Sequence, residues 1–270
     1  MSERPRILAT LEGYAVEGGY DQAGGVATCF APTIALGRHV GPGDADGLWR
    51  DYEAVLDAAA TLRLDGVRLG VEWARVEPRR GEVDEGALGR YRDAARHAHA
   101  LGLGVTVCLV DGSWPAWLGL EAWLLPWVEP YAIEHARRVV GALRGDVDGV
   151  LAFADPGGIV SAGFREGTAP PWRRGAAADA ASAAAQVARI EAALASDDVV
   201  GPLLVASSRT VALGAPGDVV REAIASACDE VYLRALVRGR GPRAAATALV
   251  AREDDGWRAR VPAALADVLG

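Results

Sequence analysis

Asp65-Gly-Val-Arg-Leu-Gly-Val71, followed by a helical pattern from Asp84 to Leu101 and then by Val105-Thr-Val-Cys-Leu-Val110, decides the fold. The first run and the last are short, apolar and rich in β-branched residues, as buried strands are. Between them Leu88, Tyr91, Ala95 and Ala98 recur at helical spacing, Asp84 stands where a helix N-cap belongs, and Gly102 and Gly104 punctuate the end. Strand, helix, strand in this order predicts two parallel strands with a covering helix between them.

The same alternation extends in both directions. Ile7–Val16 reads as a first strand, Leu48–Leu64 as a helix, and Pro130 begins a helix that runs to about Leu143. Val150–Phe153 reads as a fourth strand, Ala176–Leu194 as an Ala-rich helix and Val199–Ala206 as a fifth strand. Gly217–Val237 reads as a helix, Ala245–Val250 as a sixth strand and Val261–Leu269 as a closing helix. The prediction is an α/β fold with a parallel sheet, either a barrel or a doubly wound sheet, in a single domain over residues 1–270. No Gly-x-Gly-x-x-Gly follows the first strand, which argues against a dinucleotide site.

Composition removes whole classes of chemistry. All 28 basic residues are arginine, so Schiff-base lysine catalysis and a Walker-type phosphate loop are excluded. Asparagine is absent as well, so there is no N-glycosylation acceptor. A net charge of −8 speaks against a nucleic-acid footprint. Cys29, Cys108 and Cys228 lie far apart, which speaks against a disulfide framework or a zinc site and fits a reducing cytoplasm. No run of 18 apolar residues suggests a membrane span. No cofactor and no metal is called for by any spacing.

In parallel α/β folds the chemistry lies beyond the carboxyl ends of the strands. Glu17 and Asp21 follow the first predicted strand. Arg68 lies within the second, and Glu72, Trp73 and Arg75 follow it. Asp111, Ser113 and Trp114 follow the third, Asp155 follows the fourth, and Ser207, Ser208 and Arg209 follow the fifth. Carboxylates among aromatic rings suit carbohydrate chemistry, which needs acid/base groups and flat surfaces for sugar faces. Each residue also has a structural alternative. Asp155 before Pro156 is placed to cap a helix, Arg68 to pair with a buried carboxylate such as Glu17 or Glu72, and Trp114, Trp117, Trp123 and Trp127 to pack beneath a loop. His97, His99 and His135 read as surface residues of helices.

The segment Arg68-Leu-Gly-Val-Glu-Trp-Ala-Arg75, running on to Val76-Glu-Pro-Arg-Arg-Gly-Glu-Val-Asp84, resembles the second-strand signature of glycoside hydrolase family 1, the β-glucosidase-like barrels. Tyr14-Ala-Val-Glu-Gly18 resembles the first-strand motif, Cys108-Leu-Val-Asp-Gly-Ser-Trp-Pro115 with Trp123-Leu124 the third, and Phe153-Ala-Asp-Pro156 with Val160-Ser-Ala162 the fourth. Val199-Val-Gly-Pro-Leu-Leu-Val205 and Leu236-Val-Arg-Gly-Arg-Gly-Pro242 resemble the fifth unit, so the agreement is collinear from about residue 7 to 242. The resemblance implies a (β/α)8 barrel, here shortened to about six βα units, whose open edge would be closed by the C-terminal segment, a second copy or another chain.

The resemblance also implies sugar binding and two catalytic carboxyls, and the sequence departs from it at those positions. Ala15 stands where the family carries a sugar-binding Gln, Asp111-Gly112 where it carries His-Trp, and Ala154-Asp155 where it carries Asn-Glu. The Thr-Glu-Asn-Gly nucleophile motif is absent. Replacing Glu by Asp withdraws a carboxyl by one methylene, and a misplacement near 1 Å costs about a hundredfold. The expectation is a family 1-like protein of glycoside metabolism with altered chemistry. Asp155, Asp111 and Glu72 would be the catalytic carboxyls, and Arg68, Glu17, Trp73, Trp114, Trp123 and Glu166 would bind a glycoside or polyol-like ligand. A non-catalytic sugar-binding or scaffolding protein that needs a partner chain is the alternative.

Overall fold

The computed structural model describes residues 6–201, 203–205, 245–246, 250–253 and 256–259. Two compact units comprise the chain. One runs to Leu120 and includes Glu134–Phe153; the other holds Glu121–Ile133 and the residues from Ala154 onward.

The first unit is built on four parallel strands in sequence order, β1 (Leu8–Leu11), β2 (Gly66–Gly70), β3 (Gly104–Val110) and β4 (Gly149–Phe153). Its helical segments are α1 (Gly13–Glu17), α2 (Ala31–Ala35), α3 (Tyr52–Thr61), α4 (Trp73–Val76) and α5 (Glu85–Ala100); α6 (Val128–Ala142) precedes β4. The βα alternation read from the sequence is therefore present, and the β2–α5–β3 segment is the parallel crossover expected of it. Leu88, Tyr91, Ala95 and Ala98 are all buried on α5, as their spacing predicts, and Ala87 and Ala94 widen the same face. Asp84 caps the helix by accepting from the Ala87 amide at 3.0 Å. Val67, Leu69, Val105, Val107 and Leu109 are buried from the sheet, and Leu56 and Ala59 from α3.

The first strand is shorter than its apolar run suggests. It ends at Leu11, and residues 13–17 turn into α1. The chain is closely packed at this turn: a Cβ on Gly13 would stand 3.1 Å from the Glu72 Cβ. The turn swings Glu17 inward, where it is 2% exposed. A second correction concerns His135, which is 1% exposed and stacks on Trp73 at 4.7 Å. Burial lowers its pKa to about 3, so it is neutral, and its Nε2 pairs with the Leu109 carbonyl at 3.2 Å.

The second unit contains α7 (Pro156–Phe164), α8 (Ala177–Ala195), β5 (Leu203–Val205), β6 (Ala245–Ala246), β7 (Val250–Glu253) and β8 (Gly256–Ala259). β5 pairs with β6 in parallel, and β7 with β8 antiparallel. The predicted sixth strand thus divides, with Val250 beginning a hairpin. The Ala-rich sequence forms α8 as predicted, and its small residues Ala180, Ala183, Ala184 and Ala188 are buried beside Val187, Ile190 and Leu194. Arg173 holds Glu121 and Asp179 together, and Gln186 donates to the Leu125 carbonyl at 2.7 Å. The predicted helices at 217–237 and 261–269, and Cys228, lie outside the described residues. Among the described residues no helix is long and apolar enough to cross a membrane.

Candidate functional site

Parallel packing of β1 to β3 brings their carboxyl ends together, and the polar residues predicted there divide into two groups. The first centres on Glu17. Arg75, on α4, donates from Nε to Glu17 Oε2 at 2.5 Å and from Nη2 to the Gly18 carbonyl at 2.6 Å. Tyr20 donates to the same carboxylate oxygen, and Tyr91 donates to Oε1 at 2.5 Å while accepting from the Glu72 amide at 3.0 Å. The Arg75 guanidinium lies 4.2 Å from the Tyr20 ring centroid and 4.0 Å from that of Trp49. Burial raises the Glu17 pKa, while Arg75 and the two phenols pull it down. Every strong bond of this carboxylate is internal. The structure assigns Glu17 to holding α1 and α4 together, with Arg75 as its partner rather than Arg68.

The second group is Arg68, Asp111 and Glu72. Arg68 Nη2 lies 3.3 Å from Asp111 Oδ1 and 3.6 Å from Glu12 Oε1. Asp111 follows β3, and its side chain is 7% exposed. Its second oxygen, Oδ2, is buried without a hydrogen-bond partner, and so is Arg68 Nε. Burial raises the Asp111 pKa to about 7 against the pull of Arg68, with Glu12 and Glu72 adding to the rise. Gly70 makes this placement feasible: a Cβ there would lie 2.7 Å from Asp111 Oδ2 and 2.7 Å from the Gly13 nitrogen. Glu72 caps α4 by accepting from the Ala74 amide at 3.1 Å, and the Ser113 hydroxyl donates to its other oxygen. Burial pushes Glu72 up to about 7 as well. Two neighbouring buried carboxyls that titrate near neutrality are suited to proton exchange.

The remaining predicted site residues make contacts of their own. Asp155 is at the N-cap of α7, where its Oδ1 accepts from the Gly158 amide at 2.8 Å. It belongs to the second unit, whereas Asp111 and Glu72 belong to the first. Trp73 and Trp114 are each 1% exposed and Trp123 is fully buried, so these three rings serve the packing. Trp73 Nε1 donates to Glu77 at 3.3 Å and Trp114 Nε1 to the Gly119 carbonyl at 2.8 Å. Glu166 is exposed and forms an isolated antiparallel bridge with Arg174. Ser207, Ser208 and Arg209 lie outside the described residues.

Two contributors were not legible as site residues. Tyr91 reads only as part of an apolar helix face, yet its hydroxyl reaches Glu17. Tyr14 reads as part of a strand. It stacks on Phe30 at 4.4 Å and meets the tilted ring of Tyr20 at 5.0 Å, and its hydroxyl is buried without a hydrogen-bond partner. A tyrosine on an apolar face is the available signal, because its ring suits the core while its hydroxyl needs a partner.

Solved structures align with the chain over most of its length. The AHE enzyme from Alicyclobacillus herbarius matches with a TM-score of 0.73 and 19% identity, over 89% of this chain and 58% of that one. A β-glycosidase from Pyrococcus horikoshii matches with a TM-score of 0.72 and 16% identity, over 95% of this chain and 58% of that one. The family 1 β-glucosidase from Exiguobacterium antarcticum B7 matches with a TM-score of 0.70 and 16% identity, over 87% and 55%. The chain has the fold of the family 1 β-glucosidase barrels.

In sequence, the family 1-like chain is 26% identical over 160 residues to the β-glucosidase-like protein SFR2, chloroplastic, from Oryza sativa subsp. japonica. That match covers 57% of the chain and 25% of the rice protein. No family model matches. The chain thus spans a little over half the length of the solved structures and a quarter of the rice relative. Within the family 1 fold, the Arg68–Asp111 pair occupies the carboxyl-terminal side of the strands, the side on which barrel chemistry takes place.

Proposed function

We propose that the chain handles a glycoside or polyol-like ligand above the carboxyl ends of β1 to β3, with Asp111 as the group that contacts it and exchanges a proton with it. One observation carries the reading. Asp111 is held by Arg68 through one oxygen while the other is buried and unpaired, with a pKa raised to about 7. An unpaired buried carboxyl oxygen costs about 1–3 kcal/mol, a cost that a bound hydroxyl would offset. A raised pKa lets the same group donate or accept a proton near neutrality.

A reading without turnover is favoured by one further observation. Asp155, the family-like acid/base position, serves as the cap of α7. The aromatic rings expected to carry the sugar are packed inside as well.

Calorimetric titration with simple methyl glycosides, together with turnover of aryl glycosides, tests both readings. At least one glycoside is expected to bind, and Asp111→Asn should weaken that binding about tenfold. Turnover that survives Asp155→Asn but not Asp111→Asn supports altered hydrolysis, and binding without turnover supports the second reading. Absence of binding by any glycoside, or unchanged binding by Asp111→Asn, overturns the proposal.

A further inference from the structure

We infer that Tyr14 is a ligand-binding residue, which supplies a hydroxyl donor to the same ligand that Asp111 and Arg68 contact; the inference rests on the preceding reading of that site. Tyr14 is the second residue of α1, directly after Gly13. Gly13 packs against Glu72, and its nitrogen and Asp111 Oδ2 would each lie 2.7 Å from a Cβ placed on Gly70. Tyr14 and Asp111 each lie close enough to Glu72 to feel its charge. Gly13, Gly70, Glu72 and Asp111 therefore meet at the carboxyl ends of β1 to β3, and Tyr14 follows Gly13 directly.

Three buried polar atoms in this region have no hydrogen-bond partner: Tyr14 Oη, Arg68 Nε and Asp111 Oδ2. Together they offer two donors and one acceptor. That set matches a ring bearing several hydroxyls, each of which both donates and accepts. The Tyr14 hydroxyl adds a neutral donor beside Arg68, whose charge is already shared between Asp111 and Glu12.

The Tyr14 ring is fixed before any ligand arrives. Phe30 stacks on it with an interplanar angle of 15°, and Tyr20 lies at 36°. Tyr20 is in turn anchored to Glu17. A ring clamped by two neighbours leaves little freedom to the hydroxyl, and preorganisation of this kind lowers the entropic cost of binding. Burial raises the phenol pKa, so the group stays protonated as a donor.

A structural tyrosine and a binding tyrosine predict opposite results for Tyr14→Phe. If the hydroxyl serves only the ligand, its removal relieves an unsatisfied buried group, and the melting temperature rises or holds. The same variant should bind the best methyl glycoside of the panel about tenfold more weakly, with the aromatic stack intact by near-ultraviolet circular dichroism. A fall in melting temperature, or unchanged affinity beside a wild type that binds, overturns the role of Tyr14 while leaving the glycoside reading in place. Failure of the wild type to bind any glycoside overturns both.

Discussion

Arg75 and Glu17 set the stability of the first unit at the level of single side chains. Removing one partner of a buried ion pair leaves the other charge uncompensated, at a cost of about 3–5 kcal/mol. Arg75→Ala should therefore lower the urea midpoint sharply, while Arg79→Ala, whose pair with Glu82 is exposed, should leave it nearly unchanged. Glu72 and Asp111 make a second prediction, in pH. Their folded pKa values are raised to about 7 from 4.5 and 3.8, so the native state binds more protons than the unfolded state between those limits. Their stabilising contribution is complete below the unfolded values and is lost as pH rises towards 7, with a slope of at most about 1.4 kcal/mol per unit for each group. Urea titrations from pH 4 to 8 should show this loss, and Glu72→Gln should flatten it; an unchanged slope in that variant would refute the assignment.

Capping links sequence to geometry at the level of elements. Asp84 and Asp155 each accept from the amide three residues on, and an N-cap Asp replaced by Ala costs about 0.5–2 kcal/mol. Asp84→Ala and Asp155→Ala should both show that loss, and Asp155→Asn should largely restore stability because Asn caps as well. A full loss in Asp155→Asn would mean that the carboxyl does more than cap. The Asp84 cap was legible because a polar residue precedes a clear apolar period. The end of β1 was not, because an apolar run has the same composition whether it continues as a strand or turns at Gly13. The buried position of His135 was equally hidden, since it depends on the Trp73 ring that covers it.

Thiol chemistry gives a test at the level of the whole molecule. Cys29 and Cys108 are buried, and burial raises both thiols well above their usual range. An alkylating reagent at neutral pH should leave both unmodified in the native protein and label both in denaturant, as read by peptide mapping. Labelling of either under native conditions would contradict the packing of the first unit.

By itself the sequence determined the βα alternation, the buried face of α5, the Ala-rich α8, the exclusion of lysine-based chemistry and the resemblance to family 1 barrels. These follow from local spacing and from the residue types present, which act over one or two turns. Only the tertiary structure decided which charges meet. Glu17 and Arg75 are 58 residues apart and Arg68 and Asp111 are 43 apart. Both distances are closed by the register of parallel strands, which sets Arg68 beside Thr106 and Gly70 beside Cys108. Whether a carboxylate at a strand end serves structure or ligand depends on what fills the space around each of its oxygens. The two carboxylates differ in this respect: Glu17 is satisfied on both oxygens, and Asp111 Oδ2 is left unpaired.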